Sequence, residues 1–255
     1  MTIGKRDARF SKESKAACTN ARGVTLDGGA DVVRNTVLAY VEPIFAEFDS
    51  AISAEDRAET KLNASVVKME QVEAEAGRSF AAMHSGLQTG VAFAHAAPDR
   101  TDVDVDNLEN YLDAMSPSDF RRLSRAETLV QFERTHGYLG DFLPTELESR
   151  IKPLADDTLA KLKAMADEQE QSNAEWLQEQ ADLETARNKA KEAYVTLRDG
   201  MATALRMVGM HERLNQIVKP LHRALYATSG SDEPSEPAEP AEPVAPSDPV
   251  PVPNE

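Results

Sequence analysis

A run of alternating aspartates has the spacing of the first ligands of a calcium-binding loop. Asp102, Asp104 and Asp106 occupy the first, third and fifth positions of such a loop, and Asp113 occupies the twelfth. Asn107 stands where the loop needs a glycine for its sharp turn. An acidic linker whose last aspartate caps the next helix explains the same residues, and we favour it. Calcium binding at these four aspartates is kept as an alternative.

Histidines and carboxylates elsewhere do not complete a metal or catalytic site. Glu133 and His136 form one Glu-x-x-His unit, whereas dinuclear bundles need two such units and two further glutamates. Two pairs of histidines are spaced eleven residues apart and so share a helix face, but a metal site needs three or four converging ligands. These pairs are His84 with His95 and His211 with His222. We therefore predict no enzymatic activity, no catalytic residue and no cofactor.

Four residues are candidates for contacts between helices. Gly86 and Gly90 are four apart in a stretch without charges, a spacing that lets two helices approach closely. Tight packing within the chain is the favoured interpretation, and an interface between copies is the alternative. Trp176 and Leu177 lie in the most polar part of a long segment, and anchor residues at interface centres are often tryptophan. Packing of Trp176 in the core is an equally good interpretation.

Long helices must position these residues. Apolar residues recur at helical spacing over residues 31–97 and again over 145–211. After Pro153 the chain has neither glycine nor proline for 46 residues, which is about 69 Å of helix. Apolar residues recur there every seventh position, as in a coiled coil. The sequence therefore predicts an all-α fold, either an elongated helical bundle or a long antiparallel hairpin with a small helical insert.

Several signals predict interruptions in the two long segments. Pro43 should kink the first, and Ser53 begins a capping-box sequence that indicates a break near residues 49–53. In the second, polar residues fall where core residues are expected, which leaves a turn near residues 168–174 open. These polar residues are Gln169, Asn173, Gln180 and Arg187.

The connector between the long segments, residues 98–144, should contain short helices. One is predicted at about 107–115, and a second should begin after Ser116 and end near His136. A final helix near the end of the body should bend at Pro220.

Charge is distributed unevenly along the chain. The 255 residues include 44 acidic and 28 basic side chains, for a net charge of −16. Residues 1–27 contribute +3, residues 228–255 contribute −7, and the body between them contributes −12. We predict that residues 1–26 form a disordered basic arm and that 228–255, rich in proline and glutamate, form a disordered acidic tail. The acidic body argues against a nucleic-acid partner, because binding to the phosphate backbone needs clustered lysine and arginine.

The chain carries no signal for secretion or for a membrane span. The longest stretch without charge, residues 80–97, contains His84 and His95 and is predicted to be a buried helix. A single cysteine, Cys18, excludes an internal disulfide and fits a reducing compartment. We therefore expect a cytoplasmic location.

A shift of 110 residues superposes the two long segments without a gap. Pro43 then meets Pro153, and Gly90 meets Gly200. Shared helical periodicity accounts for the apolar matches but not for the prolines and glycines. Internal duplication, with 31–97 and 145–211 as the halves, is kept as an alternative to shared periodicity.

These features favour a non-enzymatic scaffold or assembly protein that acts through contacts between helices. The partner is another protein or a second copy of the chain, which would make a homodimer. A peripheral membrane protein, in which long curved helices bind lipid as BAR-type modules do, is one alternative, although the acidic body disfavours it. A metal-binding helical bundle is the other.

Overall fold

The structure, a computed structural model, describes residues 3–96 and 103–226. Every regular element within those two ranges is helical, so the all-α prediction is confirmed. The predicted acidic tail lies outside the described residues. In chain order the helices are α1 (Ile3–Arg22), α2 (Gly29–Ala96), α3 (Val103–Ala114), α4 (Pro117–Phe120), α5 (Arg125–Gly137), α6 (Leu139–Phe142), α7 (Thr145–Met207), α8 (Leu214–Ile217) and α9 (Leu221–Tyr226).

Two long helices, α2 and α7, pack side by side and form the predicted antiparallel hairpin. α2 has 68 residues and α7 has 63, which correspond to about 102 Å and about 95 Å at 1.5 Å per residue. Neither helix buries a full hydrophobic face by itself. Each is stabilised mainly by packing on the other and on the short helices at the two ends.

Neither long helix is broken at the places where the sequence suggested a break or a turn. α2 continues through residues 49–53, where the hydroxyl of Ser53 donates to the carbonyl oxygen of Asp49 at 3.0 Å. The serine therefore bonds back into the preceding turn of the same helix and does not cap a new one. α7 is likewise continuous through residues 168–174. The break predicted near Ser53 was wrong, because packing against neighbouring helices outweighs a local capping signal.

Four ion pairs along one flank fix the register of the hairpin. They join Glu47 to Lys189, Lys61 to Glu175, Lys68 to Glu168 and Glu75 to Lys161. The two residue numbers of each pair add to 236, for example 68 and 168, as an antiparallel pairing without slippage requires. Neighbouring pairs on α2 are seven or fourteen residues apart, which is the repeat of a coiled coil. We call these pairs the ion-pair ladder.

At one end of the hairpin, α1, α8 and α9 pack on α2 and α7 and form the terminal lobe. α1 corresponds to most of the predicted disordered arm, and its Phe10 is fully buried, with ring centroids 5.7 Å from Phe48 and 5.6 Å from Tyr194. The prediction was wrong because small side chains make up most of the buried face of α1, and their low hydrophobicity hides the helical period. The small buried residues are Ser11, Ser14, Ala17, Cys18 and Ala21.

At the other end, α3 to α6 pack on α2 and α7 and form the insert lobe. The ring of Phe120 stacks on that of Phe80, with centroids 4.0 Å apart. The predicted short helices are present with shifted limits: α3 begins at Val103, and the second predicted helix is divided into α4 and α5. The division occurs because Ser124 caps a new helix, together with Glu127, in a capping box.

Between the lobes lies the waist, residues 53–75 of α2 and 163–182 of α7. The core of the terminal lobe ends at Ile52 and Leu183, and the core of the insert lobe ends at Ala76 and Leu162. Small or polar side chains fill much of the interior of the waist. The buried residues there are Ala58, Ser65, Met69 and Ser172. The molecule is therefore a rod with two hydrophobic cores joined by a more polar coiled coil.

The 110-residue offset relates buried positions on α2 to buried positions on α7. Such pairs include Phe45 with Ala155, Phe80 with Ala190 and Leu87 with Leu197. The matched glycines, however, make different contacts: Gly90 faces the backbone of Phe142, and Gly200 faces the side chain of Val37. Internal duplication therefore stays a prediction.

Candidate functional site

Two stripes of residues border the flank of the waist that lies away from the ion-pair ladder. Their members are spaced alternately four and three residues apart, so each stripe follows one face of its helix. The stripe on α2 consists of Glu55, Glu59, Leu62, Val66, Met69 and Glu73, and that on α7 of Leu162, Ala166, Gln169, Asn173, Trp176 and Gln180. Residues that face each other have numbers that add to 235, for example 62 and 173, which agrees with the register of the ladder to within one residue. We call this flank the waist groove.

Part of the waist groove deepens into a cleft of about 320 Å³, where the first turn of α5 lies over the hairpin. This volume is at the lower end of the range for ligand-binding pockets. Apolar side chains of both long helices and of α5 line it, namely Leu62, Met69, Ala126, Leu129, Leu162 and Ala166. The polar lining residues are Glu73, Arg125, Thr128, Gln169, Glu170 and Asn173. The cleft can therefore enclose an apolar group and offer polar contacts around it.

The most constrained polar contact of the cleft joins α5 to α2. The capping box of Ser124 fixes the first turn of α5, and hydrogen bonds from Ser124 hold the pKa of Glu127 below its usual value. Arg125 follows Ser124, and its Nε lies 3.2 Å from Oε1 of Glu73. That oxygen is enclosed by protein, yet the contact lacks the direction of a hydrogen bond. Glu73 therefore keeps the capacity to accept a hydrogen bond.

Trp176, one of the predicted interface residues, is half-buried in the waist groove beyond the cleft. Its indole Nε1 is enclosed and has no hydrogen-bond partner among the described residues. Its neighbour Leu177 is 52% exposed, and the exposed Val67 occupies the corresponding place on α2 under the 110-residue offset. Both predicted residues thus lie at the waist, where large side chains are incompletely covered.

The predicted close approach at Gly86 and Gly90 takes place within the chain. A methyl group on Gly86 would lie 2.6 Å from Cδ1 of Ile151, and one on Gly90 would lie 1.9 Å from the carbonyl oxygen of Phe142. The segment that joins α6 to α7 therefore occupies this face of α2. A second copy of the chain has no access to these glycines in this arrangement.

The predicted calcium ligands do not form a loop. Asp104, Asp106 and Asp113 all lie on α3, and Asp102 is outside the described residues. A calcium loop wraps its backbone around the ion, whereas a continuous helix turns residues two apart to nearly opposite sides. The helical backbone of this segment therefore argues against the calcium-loop alternative.

Three of the five histidines considered as ligands, His84, His95 and His136, instead connect helices around the insert lobe. Nε2 of His84 lies 3.0 Å from the carbonyl oxygen of Leu112. Nε2 of His95 lies 3.2 Å from a carboxylate oxygen of Glu109, and Nε2 of His136 lies 2.6 Å from one of Asp156. Each therefore has a structural partner on another helix.

No protein-family model matches the chain, and no curated protein or solved structure matches it either. Within the described residues, no helix combines the length and the hydrophobicity needed to cross a membrane.

Sequence reasoning did not find the polar part of this site. Glu73 and Arg125 are far apart in the sequence and meet only because the insert folds back on α2. The helical periodicity of the sequence already placed Leu62 and Met69 on one face of a helix. Whether another helix covers that face depends on where the two lobes end, which the sequence does not show. The available signal was the set of polar residues at expected core positions, of which Gln169, Asn173 and Gln180 lie on the α7 stripe.

Proposed function

We propose that the protein is a non-enzymatic scaffold or assembly protein. It is a rod that holds two lobes apart and binds a protein partner, or a second copy of itself, through helix contacts at the waist. The observation that carries the proposal is the waist groove, where both hydrophobic cores stop and residues such as Leu62 and Trp176 are incompletely covered. Partly apolar grooves between helices are a common binding site for a helix of another chain.

The residues that line the cleft favour binding over catalysis. Among them the hydroxyl that could act as a nucleophile is that of Thr128, and it donates to the carbonyl oxygen of Ser124 at 3.0 Å. The lining contains carboxylates, amides and a guanidinium but no histidine, cysteine or lysine as a neighbouring base. Such a set suits recognition of a partner.

The two alternatives have less support. The lysines of the ion-pair ladder are each joined to a carboxylate across the hairpin, so they do not supply a free cationic face for lipid. A metal site would need converging ligands with a second shell, and His84, His95 and His136 each contact a group on another helix. We retain a cytoplasmic location as part of the proposal, on the basis of the single buried Cys18.

Solution scattering and crosslinking test the proposal together. A rod of about 100 Å has a radius of gyration of about 29 Å, whereas a compact protein of this length has about 18 Å. A photo-crosslinking residue at the exposed Leu177 should capture a protein partner or a second copy, while the same residue at Ala64, exposed on the outer face of α2, should capture neither. A compact particle, or equal crosslinking at both positions, would contradict the scaffold function.

A further inference from the structure

The uncovered part of the waist groove is acidic. Glu55, Asp56 and Glu59 form a cluster on α2 in which one carboxylate oxygen from each residue lies within 4.8 Å of the other two. Glu55 and Glu59 belong to the α2 stripe, about two turns and one turn before Leu62, which lines the cleft. The acidic cluster therefore continues directly from the apolar cleft along the same face of the helix.

The nearby cations contact groups outside the acidic cluster. Arg57, the closest in sequence, donates from Nε to the carbonyl oxygen of Ser53 at 2.9 Å. Arg125 lies against Glu73 in the cleft, and Arg187, at the far end of the groove, is held by Asp7 at 2.7 Å. Glu55 acts on Arg187 only at longer range. None of the three clustered carboxylates forms an ion pair among the described residues, and Glu170 adds a further acidic group at the rim of the cleft.

The geometry of the groove limits what it can hold. Glu59 and Met69 are ten residues apart on α2, which is about 15 Å, the length of about three turns of a second helix. The cleft can take an apolar side chain at one end of that span, and the acidic cluster can take lysine or arginine at the other. A second copy of the chain is a poor occupant, because its body carries the same charge of −12.

We infer that the waist groove binds a short basic amphipathic helix of a partner protein. Its apolar stripe enters the cleft against Leu62 and Met69, and its lysine or arginine side chains pair with Glu55, Glu59 and Glu170. The inference rests on the proposed scaffold function and names the chemical class of the partner. Binding also covers Trp176, which faces Glu59 across the groove.

Fluorescence titration of the full chain provides the test, because Trp176 is its single tryptophan. The probe is a synthetic three-turn peptide with leucine on one face and lysine on the other. One control peptide has glutamate in place of lysine, and a second has the same composition in scrambled order. The lysine peptide should shift the emission of Trp176 saturably, and the two controls should not.

Two charge-reversal variants locate the site. Glu55→Lys with Glu59→Lys should raise the dissociation constant of the lysine peptide about tenfold or more. Asp167→Lys with Glu192→Lys changes the same amount of charge at exposed positions outside the groove stripes and should leave the constant within about twofold. A third variant, Ala126→Phe, fills the cleft from an exposed position on α5 and should also weaken binding.

Each outcome decides something definite. Equal weakening by both pairs of reversals, or binding of the glutamate peptide, overturns the assignment of a basic partner to this groove. If no peptide changes the emission of Trp176 while scattering shows a rod and Leu177 crosslinks, the groove inference fails and the scaffold function stands. A compact particle without crosslinks contradicts both the scaffold function and the groove inference.

Discussion

The carboxylate of Asp7 accepts two hydrogen bonds from the guanidinium of Arg187, each with a donor–acceptor distance of 2.7 Å. The side chain of Asp7 is only 3% exposed and that of Arg187 is 23% exposed. The hydrogen bonds to Asp7 raise the pKa of Arg187 above its usual value. The pair holds the first turns of α1 on α7 where the terminal lobe meets the waist.

Removal of Asp7 should destabilise the protein strongly. Asp7→Ala leaves Arg187 partly buried without its partner, and we expect a loss of about 3 kcal/mol in the free energy of unfolding. Lys15→Ala, which removes an exposed pair with Asp49, serves as the control and should cost under about 1 kcal/mol. Urea unfolding followed by circular dichroism measures both. Equal losses would show that the buried pair contributes no more than a surface contact.

Replacement by alanine should lower the stability of the protein at one helical glycine, Gly90, and raise it at another, Gly140. At Gly90 the new methyl group would meet the carbonyl oxygen of Phe142, and we expect a loss of about 1–3 kcal/mol from overpacking. At Gly140, in α6, no atom lies within 4 Å of the new methyl group, so the gain in helix propensity should stabilise the protein by up to about 1 kcal/mol. Thermal unfolding of the two variants checks the difference. A stabilised Gly90→Ala would mean that α2 and the α6–α7 junction do not pack closely.

The ion-pair ladder has one vacant rung. Ala54 faces Asp182, and their numbers add to 236 as in the four existing pairs. Ala54→Lys should therefore create a fifth pair and stabilise the protein by about 0.3–0.5 kcal/mol at low salt. The same substitution in an Asp182→Asn background is the matched control and should give no gain. A gain in both backgrounds would point to a cause other than the pairing.

Stability should fall in the alkaline range. Burial raises the pKa of the Cys18 thiol from 9.0 to about 12, and burial likewise raises the pKa of Tyr194 from 10.0 to about 12. Between pH 9.0 and about 12 the unfolded chain releases these protons while the folded chain keeps them, so the free energy of unfolding decreases as pH rises. Below pH 9.0 the contribution of Cys18 is fully present. Urea midpoints at about pH 8 and about pH 10.5 test this, and Cys18→Ala should show a smaller decrease than the native chain.

The long helices were predictable because their signals are local and repeated. The absence of glycine and proline after Pro153 and the seven-residue repeat indicate a long helix there, although the polar residues left a turn near residues 168–174 open; the structure shows α7 as continuous. The capping sequence at Ser53 misled because a local motif competes with packing along the whole of α2, and the packing outweighs it. α1 was missed because its buried face consists mostly of small side chains and because it packs on residues distant in sequence, as in the contact of Phe10 with Tyr194 and the pairing of Asp7 with Arg187.

The roles of the polar residues at expected core positions could not be predicted from the sequence. Gln169, Asn173 and Gln180 looked like defects in a coiled coil, and in the structure they line the waist groove. Arg187 looked like a fourth defect, and it is the partner of Asp7. Tertiary packing decides which helix covers each flank of the hairpin. The periodicity of a single segment does not show which of its faces another helix will cover.

The first and last described helices meet in the terminal lobe, where the guanidinium of Arg6 lies 4.2 Å from the ring of Tyr226. A tether joined before Ile3 or after Tyr226 therefore emerges from the same pole of the rod. The insert lobe lies at the opposite pole, about 100 Å away along the hairpin. The two ends of the rod are therefore not equivalent. Attachment through either end of the described chain would hold the terminal lobe at the attachment point and leave the insert lobe at the far end.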